Sequence, residues 1–397
     1  MERNIVIATL SKGLCMANIE DQKVVEIQVE SFNREAVSIG DIYVGRVQKV
    51  VPSLNAAFIE INKDTACYYD IRKNINPIFT HKIGKKTICE AEQLIIQIEK
   101  DAVKTKAPTV STNLNFTGTY VVLTSGNNKI SVSTKIKDEN RKRLQQVLSK
   151  YASDDYGLIA RTNAKNASDE DICKEVDNLI LEYKDLVRKA QTRTCYSCLK
   201  KASPSYLSFV RNMYCDDISR IIVDKEDIFQ ELYEYLSINM PEVCNKLELY
   251  QDEHYTLNKK YSLEIRLEEA LYKKVWMKSG AYLIIEPTEA LTVIDVNSGK
   301  CVTKKDKEEQ YYKINIEAAI ESAKQIRLRN ISGIVIIDFI NLKDEKKMQE
   351  VLKVLKFHLQ NDRIPTKLIG VTKLQLVEIT RKKTHKSLQE SWREYHE

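Results

Sequence analysis

The stretch LTVIDVNSG, Leu291–Gly299, runs through β-branched and apolar residues and then breaks into Asp295-x-Asn297-Ser298-Gly299. A second run, GIVIIDF at Gly333–Phe339, carries Asp338 near its end. Short apolar runs bounded by polar residues and glycine read as buried strands. Around them, Ala281–Glu286 and Ala290–Val296 read as strands joined by a turn at Pro287-Thr288. A helix is expected with Tyr312, Ile316, Ala319, Ile320 and Ala323 on one face, and a second with Met348, Val351, Leu352, Leu355 and Leu359. A last strand falls near Leu368–Val371. Strands alternating with amphipathic helices predict a layered α/β domain.

The two aspartates carry the chemistry. In open α/β sheets, functional side chains gather where strands leave the core. Two carboxylates brought together repel and are costly to desolvate unless a cation lies between them. Magnesium suits this role, because it takes oxygen ligands, keeps several waters and needs only one or two carboxylates plus a substrate phosphate. It polarises a phosphodiester and helps ionise an attacking water. Asn297 lies two residues beyond Asp295, on the same side of an extended chain, and can hold a water or a phosphate oxygen without adding charge. Ser298-Gly299 allows close backbone approach. The competing reading of each aspartate is a turn or helix cap.

Toward the N-terminus the pattern changes. Asn4–Thr9, Leu14–Ile19 and Val24–Val29 form a small antiparallel meander. From Asp41 to Ile61, DIYVGRVQKVVPSLNAAFIEI is β-branched and broken at Pro52-Ser53, and strand-like pieces follow at Cys67–Ile71 and Leu94–Ile98. Short strands with polar turns over this length suggest a small barrel such as an OB-fold. Lys137–Tyr151 is an amphipathic helix, and Ser168-Asp169-Glu170-Asp171 is a helix start leading into Ile172, Val176, Leu179, Ile180, Tyr183 and Leu186. Arg220–Val223 reads as a strand and Glu226–Leu236 as an acidic helix.

The chain has 397 residues, 43% hydrophobic and 30% charged, which predicts several soluble domains. The opening MERNIVIATL lacks the basic segment and long apolar region of a signal peptide, no apolar run is long enough to span a bilayer, and residence in the cytoplasm is expected. Nine scattered cysteines fit a reduced compartment. Cys195 and Cys198 have ligand-like spacing, but no second pair or histidines follow them. Sixty-two basic against 56 acidic residues leave a net charge of +6, compatible with a polyanionic partner. Basic clusters occur at His81–Lys86, Arg141–Arg143, Lys200-Lys201 and Thr380–Lys386, and a solvated face explains most such clusters.

Several long motifs resemble one family. TEALTVIDVNSGK (Thr288–Lys300), NIEAA (Asn315–Ala319), QIRLRNISGIVIIDFINL (Gln325–Leu342) and LVEITRKK (Leu376–Lys383) resemble the catalytic domain of the ribonuclease E/G family in order and spacing. GDIYVGRVQKVVPSLNAAFIEI resembles its OB-fold RNA-binding insert, and YGLIART (Tyr156–Thr162) its pocket for an RNA 5′ end.

The resemblance implies an α+β multidomain fold. Residues 1–36 and 205–270 would build a ribonuclease-H-like subdomain, interrupted by an OB-fold at 37–112 and a 5′-end sensor at 113–204. A deoxyribonuclease-I-like α/β catalytic domain would span 271–390, with a tail at 391–397.

It also implies a magnesium-dependent endoribonuclease, with manganese able to substitute, that hydrolyses single-stranded mRNA or rRNA precursors in RNA processing or decay. Products would carry a 5′-phosphate and a 3′-hydroxyl, and a 5′-monophosphate would be the preferred end. Asp295 and Asp338 map to the magnesium ligands and Asn297 to the active-site asparagine. Phe58 and, more loosely, Tyr68 map to RNA-contacting aromatics with Lys106 as basic neighbour, a combination that holds single strands with little sequence reading. For Phe58 the competing reading is core packing. Arg161 and Thr162 map to the phosphate-binding pair of the sensor.

Three departures accompany the likeness. Ser133-Thr134, followed by Lys135, stands where the family often has serine-arginine. Asn341 replaces an aspartate after DFI, and no cysteine-containing zinc link follows the catalytic motifs, the last cysteine being Cys301. From this the expectation is no structural zinc and a monomer or weak dimer, with no membrane association. A noncatalytic RNA-binding protein that kept the fold is the alternative. A nucleotide-using α/β enzyme is disfavoured because neither GxxxxGK nor GxGxxG occurs.

Overall fold

A computed structural model describes residues 2–32, 37–74, 76–84, 88–100, 107–252, 254–300 and 306–396. The chain divides into two compact units. One comprises Met1–Asn33, Asp217–Glu234 and Val243–Glu397, the other Arg34–Asp216 and Tyr235–Glu242.

The first unit holds two sheets. The larger, six-stranded one contains β1 (Lys274–Trp276), β2 (Tyr282–Pro287), β3 (Leu291–Asn297), β4 (Gly333–Asp338), β5 (Thr366–Val371) and β6 (Val377–Arg381). Their spatial order is β1-β2-β3-β4-β6-β5. Only β3 and β4 run parallel; the other neighbours are antiparallel. That parallel pair needs a crossover, and helix α1 (Lys307–Leu328) lies within it. A second helix, α2 (Glu345–Gln360), starts at Asp344, whose side chain accepts from the Lys346 N–H.

Both helices cover one face of the sheet. Leu283, Ile285, Ile294, Val296, Val335, Ile337, Val377 and Ile379 point inward to meet Val351 and Leu355 of α2 and Ala318, Ala319 and Ile326 of α1. The buried stripe of α1 is Ile314, Asn315, Ala318, Ala319, Ser322, Ala323, Gln325 and Ile326, rotated from the stripe that apolar spacing alone predicts. Asn315 and Ser322 are buried polar residues, which a hydrophobic pattern passes over. The α2 stripe of Val351, Leu352, Leu355 and Leu359 is the expected one.

The second sheet of this unit has five strands, in the order Leu247–Leu249, Arg220–Val223, Arg3–Thr9, Gly13–Glu20 and Lys23–Ser31. The N-terminal meander is therefore completed by a strand more than 200 residues downstream, which pairs in parallel with Arg3–Thr9. Ion pairs tie this sheet to the layers of the larger one: Arg327 reaches Glu20 at 2.8 Å, and Arg363 contacts Glu26.

In the other unit, Ile42–Val51, Ala56–Glu60, Ala66–Asp70, Thr109–Ser111 and Gln93–Lys100 pair in succession, and the last closes back onto the first. The result is a barrel-like, OB-like sheet, as the β-rich segment predicts. Val47, Ala57, Ile59, Cys67, Tyr69, Leu94 and Ile96 belong to its core. Gly45 lets the first strand cross both neighbours, since a Cβ there would lie 2.6 Å from Ile59 and 2.8 Å from Ile96.

A four-stranded sheet in the same unit orders Asn115–Thr117, Val121–Thr124, Gly157–Ala160 and Ile130–Val132. Helices Asp138–Ser149 and Asp169–Ala190 pack on it through Leu144, Leu148, Val176 and Leu179. Ser168 caps the second helix, accepting from the Asp171 N–H at 3.0 Å. Among the described residues, no helix is long and apolar enough to cross a membrane.

Candidate active site

Asp295 and Asp338 sit directly opposite one another on the parallel strands β3 and β4. Side chains alternate along a strand, so residues in register project to the same side. Ile294, Val296 and Ile337 enter the helix-covered core, and their neighbours Asp295, Asn297 and Asp338 therefore belong to the opposite, open face. Asp295 is half-buried and Asp338 is exposed. Asn297 Nδ2 donates to Asp295 Oδ2 at 2.7 Å.

Adjacent strands lie about 4.8 Å apart, so the two carboxylates occupy one small patch. Their proximity favours a bound cation, and two oxygen donors with open surroundings could hold a hard one that keeps part of its water shell. No group of three or more His, Cys, Asp or Glu side chains with metal-binding geometry exists among the described residues. The pair with Asn297 is a sparse donor set, suited to a hard, hydrated cation rather than to a closed structural site.

The surrounding backbone is held in place by side chains that sequence reading missed. Buried Asn315 donates to the Ile340 carbonyl at 2.7 Å and accepts from the Ile340 N–H at 3.1 Å, which pins the segment leaving Asp338. An asparagine between the apolar Ile314 and Ala318 of the helix stripe is the signal that could have revealed it. Glu317 accepts from the Lys278 N–H at 2.7 Å and steadies the turn between β1 and β2. Against that turn, Gly299 adopts φ +58°, and a Cβ there would lie 3.1 Å from the Gly280 carbonyl oxygen. A cavity of about 540 Å³ is lined by Lys307, Glu308, Tyr311, Lys343 and Asp344. The carboxylate pair does not line it; it stands on the open sheet face. Asn341 is exposed.

The remaining candidates lie in the other unit. Phe58 and Tyr68 are cross-strand partners, their rings edge to face at 6.3 Å. Both are partly exposed, while Ala57, Ile59, Cys67 and Tyr69 on either side fill the barrel core. Phe58 thus lies on the outer face, which argues against the core-packing reading. Exposed Lys49 stands opposite it. Lys106, Lys85, Lys86 and Cys301 lie outside the described residues.

Arg161 and Thr162 follow the strand Gly157–Ala160. The Arg161 guanidinium donates to the Gly118 carbonyl at 2.5 Å and to Asn212 Oδ1 at 2.6 Å. Thr162 Oγ1 is 3.1 Å from Ser133 Oγ, which places two hydroxyls together. Thr134 and Lys135 are exposed beside them.

The basic clusters prove largely structural. Arg141 donates to the carbonyls of Val132 and Ser133, both at 3.1 Å, and Arg143 to that of Ala164 at 3.1 Å. Arg381 is buried, bonded to Asp362 and Asn330, each at 2.7 Å. Lys201 reaches buried Asp41 at 2.9 Å. Cys195 and Cys198 are free thiols.

Known proteins resemble this chain along most of its length. Residues 115–384 match the model of the ribonuclease E/G family. Ribonuclease G of Salmonella typhimurium (strain SL1344) is 33% identical over 376 residues, 92% of this chain and 76% of that protein. Ribonuclease G of Haemophilus influenzae is 30% identical over 94% of this chain and 78% of its own length. Ribonuclease E of Synechocystis is 30% identical over 402 residues, 98% of this chain and 58% of that protein. The chain belongs to the ribonuclease E/G family.

Proposed function

We propose that the protein is a magnesium-dependent endoribonuclease that hydrolyses single-stranded RNA during RNA processing or decay. The observation that carries this reading is the in-register pairing of Asp295 with Asp338 on an open sheet face, with Asn297 bonded to the former. The family's likeness to ribonucleases G and E supports it.

Asp295 and Asp338 would hold the cation, which supplies Lewis-acid activation of the phosphodiester and of a water nucleophile. Asn297 orients the Asp295 carboxylate through its amide and offers a neutral contact to a phosphate oxygen. Asn315, through Ile340, fixes the direction in which Asp338 leaves the sheet. Hydrolysis by water would leave a 5′-phosphate and a 3′-hydroxyl.

In the second unit, Phe58 and Tyr68 would stack on unpaired bases, with the amine of Lys49 or Lys106 near the backbone. Arg161, Thr162 and Ser133 would receive a 5′-terminal phosphate. The segments 1–36 with 205–270, 37–112, 113–204 and 271–390 are read as ribonuclease-H-like, OB-fold, sensor and deoxyribonuclease-I-like parts.

Incubation with a 5′-monophosphorylated oligoribonucleotide, with and without magnesium, followed by end-group analysis tests the reading. Magnesium-dependent internal cuts with 5′-phosphate ends are expected. Cyclic-phosphate ends or metal-independent cleavage would overturn the mechanism, and binding without cleavage would leave a noncatalytic RNA-binding protein.

A further inference from the structure

Trp276 is 63% exposed, although a large aromatic side chain gains most from burial. Its neighbour on β1, Val275, packs on the core of the sheet, which directs Trp276 to the open face. Its ring meets Tyr282 of β2 edge-on at 5.1 Å, and the Lys274 amine lies 3.8 Å from both ring centroids.

Register ties these three residues to the carboxylate pair. Trp276 pairs with Tyr282, and Tyr282 with Asn297. One row along, Lys274 pairs with Ile284, Ile284 with Asp295, and Asp295 with Asp338. All therefore share one face, and Trp276 is two strands, about 10 Å, from Asn297. Tyr282 is the immediate lateral neighbour of that asparagine.

We propose that Trp276, Tyr282 and Lys274 form a nucleobase-stacking subsite that holds an unpaired base of single-stranded RNA beside the phosphate engaged by Asp295 and Asp338. The proposal rests on the reading of that pair as a nuclease centre. Any base offers a π-face, so stacking on Trp276 discriminates little by sequence but requires a base free of its neighbours. Bases inside a duplex are already stacked, which gives the site a preference for single strands. Lys274 contributes the charge: on its flexible stem the amine can leave the ring faces and meet the flanking phosphate.

The chain has only two tryptophans, so Trp392→Phe leaves Trp276 as the sole reporter. In a Trp392→Phe, Asp338→Asn protein with magnesium, a short unstructured oligoribonucleotide should quench Trp276 emission saturably, while the same sequence in duplex form should not. In the otherwise unaltered chain, Trp276→Ala should raise KM about tenfold or more with kcat little changed, and Trp276→Phe should restore most of the loss. Unchanged Trp276 emission at saturating RNA, with binding verified by anisotropy, would overturn the subsite, as would a wild-type KM in Trp276→Ala. Absence of magnesium-dependent cleavage by the unaltered chain would instead overturn the nuclease reading, and absence of RNA binding would overturn both.

Discussion

Asp295 and Asp338 are register partners on the only parallel strand pair of their sheet. In the sequence they are separated by a helix and its connections; in the fold they become lateral neighbours because the helical crossover returns the chain beside its own starting strand. Placing two acidic residues side by side costs stability through mutual repulsion, a cost that a bound cation removes.

From this pairing, Asp295→Asn and Asp338→Asn are each expected to abolish magnesium-dependent cleavage. RNA affinity should remain, because the outer-face aromatics Phe58 and Tyr68 are untouched. Without the cation, each variant should also be as stable as the unaltered chain or slightly more so, as like-charge repulsion is relieved. Cleavage assays with anisotropy and urea melts read the three quantities; undiminished turnover in either variant would exclude the pair as the metal site.

Asn315 acts through the backbone. Asn315→Ala leaves the half-buried Ile340 N–H and carbonyl without their partner, a loss of about 1 kcal/mol, the low end of the cost of an unsatisfied buried group. A fall in kcat with an unchanged KM is the expected signature of a misdirected Asp338. A variant that loses stability but keeps full kcat would reduce Asn315 to a purely structural role.

For the barrel, Phe58→Ala should weaken single-strand binding by about 1–3 kcal/mol while leaving the melting midpoint nearly unchanged, since Phe58 lies outside the barrel core. The opposite outcome, a destabilised protein with intact affinity for RNA, would return Phe58 to core packing.

Arg161→Ala should erase any advantage of a 5′-monophosphate over a 5′-hydroxyl, because a guanidinium holds phosphate with paired hydrogen bonds. Its bonds to the Gly118 carbonyl and Asn212 also mean that the variant will lose some local order. Asn212→Ala is the control: it should loosen the arginine without removing its charge, and so retain part of the discrimination.

Glu92 gives the barrel a pH dependence. Burial by itself would raise its carboxyl, but bonds from the N–H groups of Cys89, Gly84 and Ile83 and from Lys82 together hold it below its ordinary value of 4.5. A depressed folded-state value means stabilisation that is present above 4.5 and lost as pH falls through the folded-state value. Glu92→Gln should therefore be less stable at neutral pH, and its stability should fall less on acidification than that of the unaltered chain. Parallel urea curves at neutral pH and at about pH 4 would show the difference; equal acid sensitivity would remove Glu92 from the explanation.

Much of the local structure was legible in the sequence, because short-range periodicity reports it. The runs Leu291–Asn297 and Gly333–Asp338 announce strands through apolar continuity, Ser168 announces a helix start through its hydroxyl, and the α2 stripe repeats at helical spacing. The aspartates, too, stood out as charges at the ends of apolar runs. Tertiary structure decided the rest. Which face of the sheet stays open depends on where α1 and α2 pack, and α1 buries Asn315 and Ser322, residues that no hydrophobic pattern selects. Strand register set the pairing of Asp295 with Asp338 and placed Trp276 beside Tyr282; it arises from hydrogen bonds between distant segments. The completion of the N-terminal sheet by Arg220–Val223 has the same origin: a strand's partners are set by the shared burial of distant faces, and the sequence of one strand alone carries no record of them.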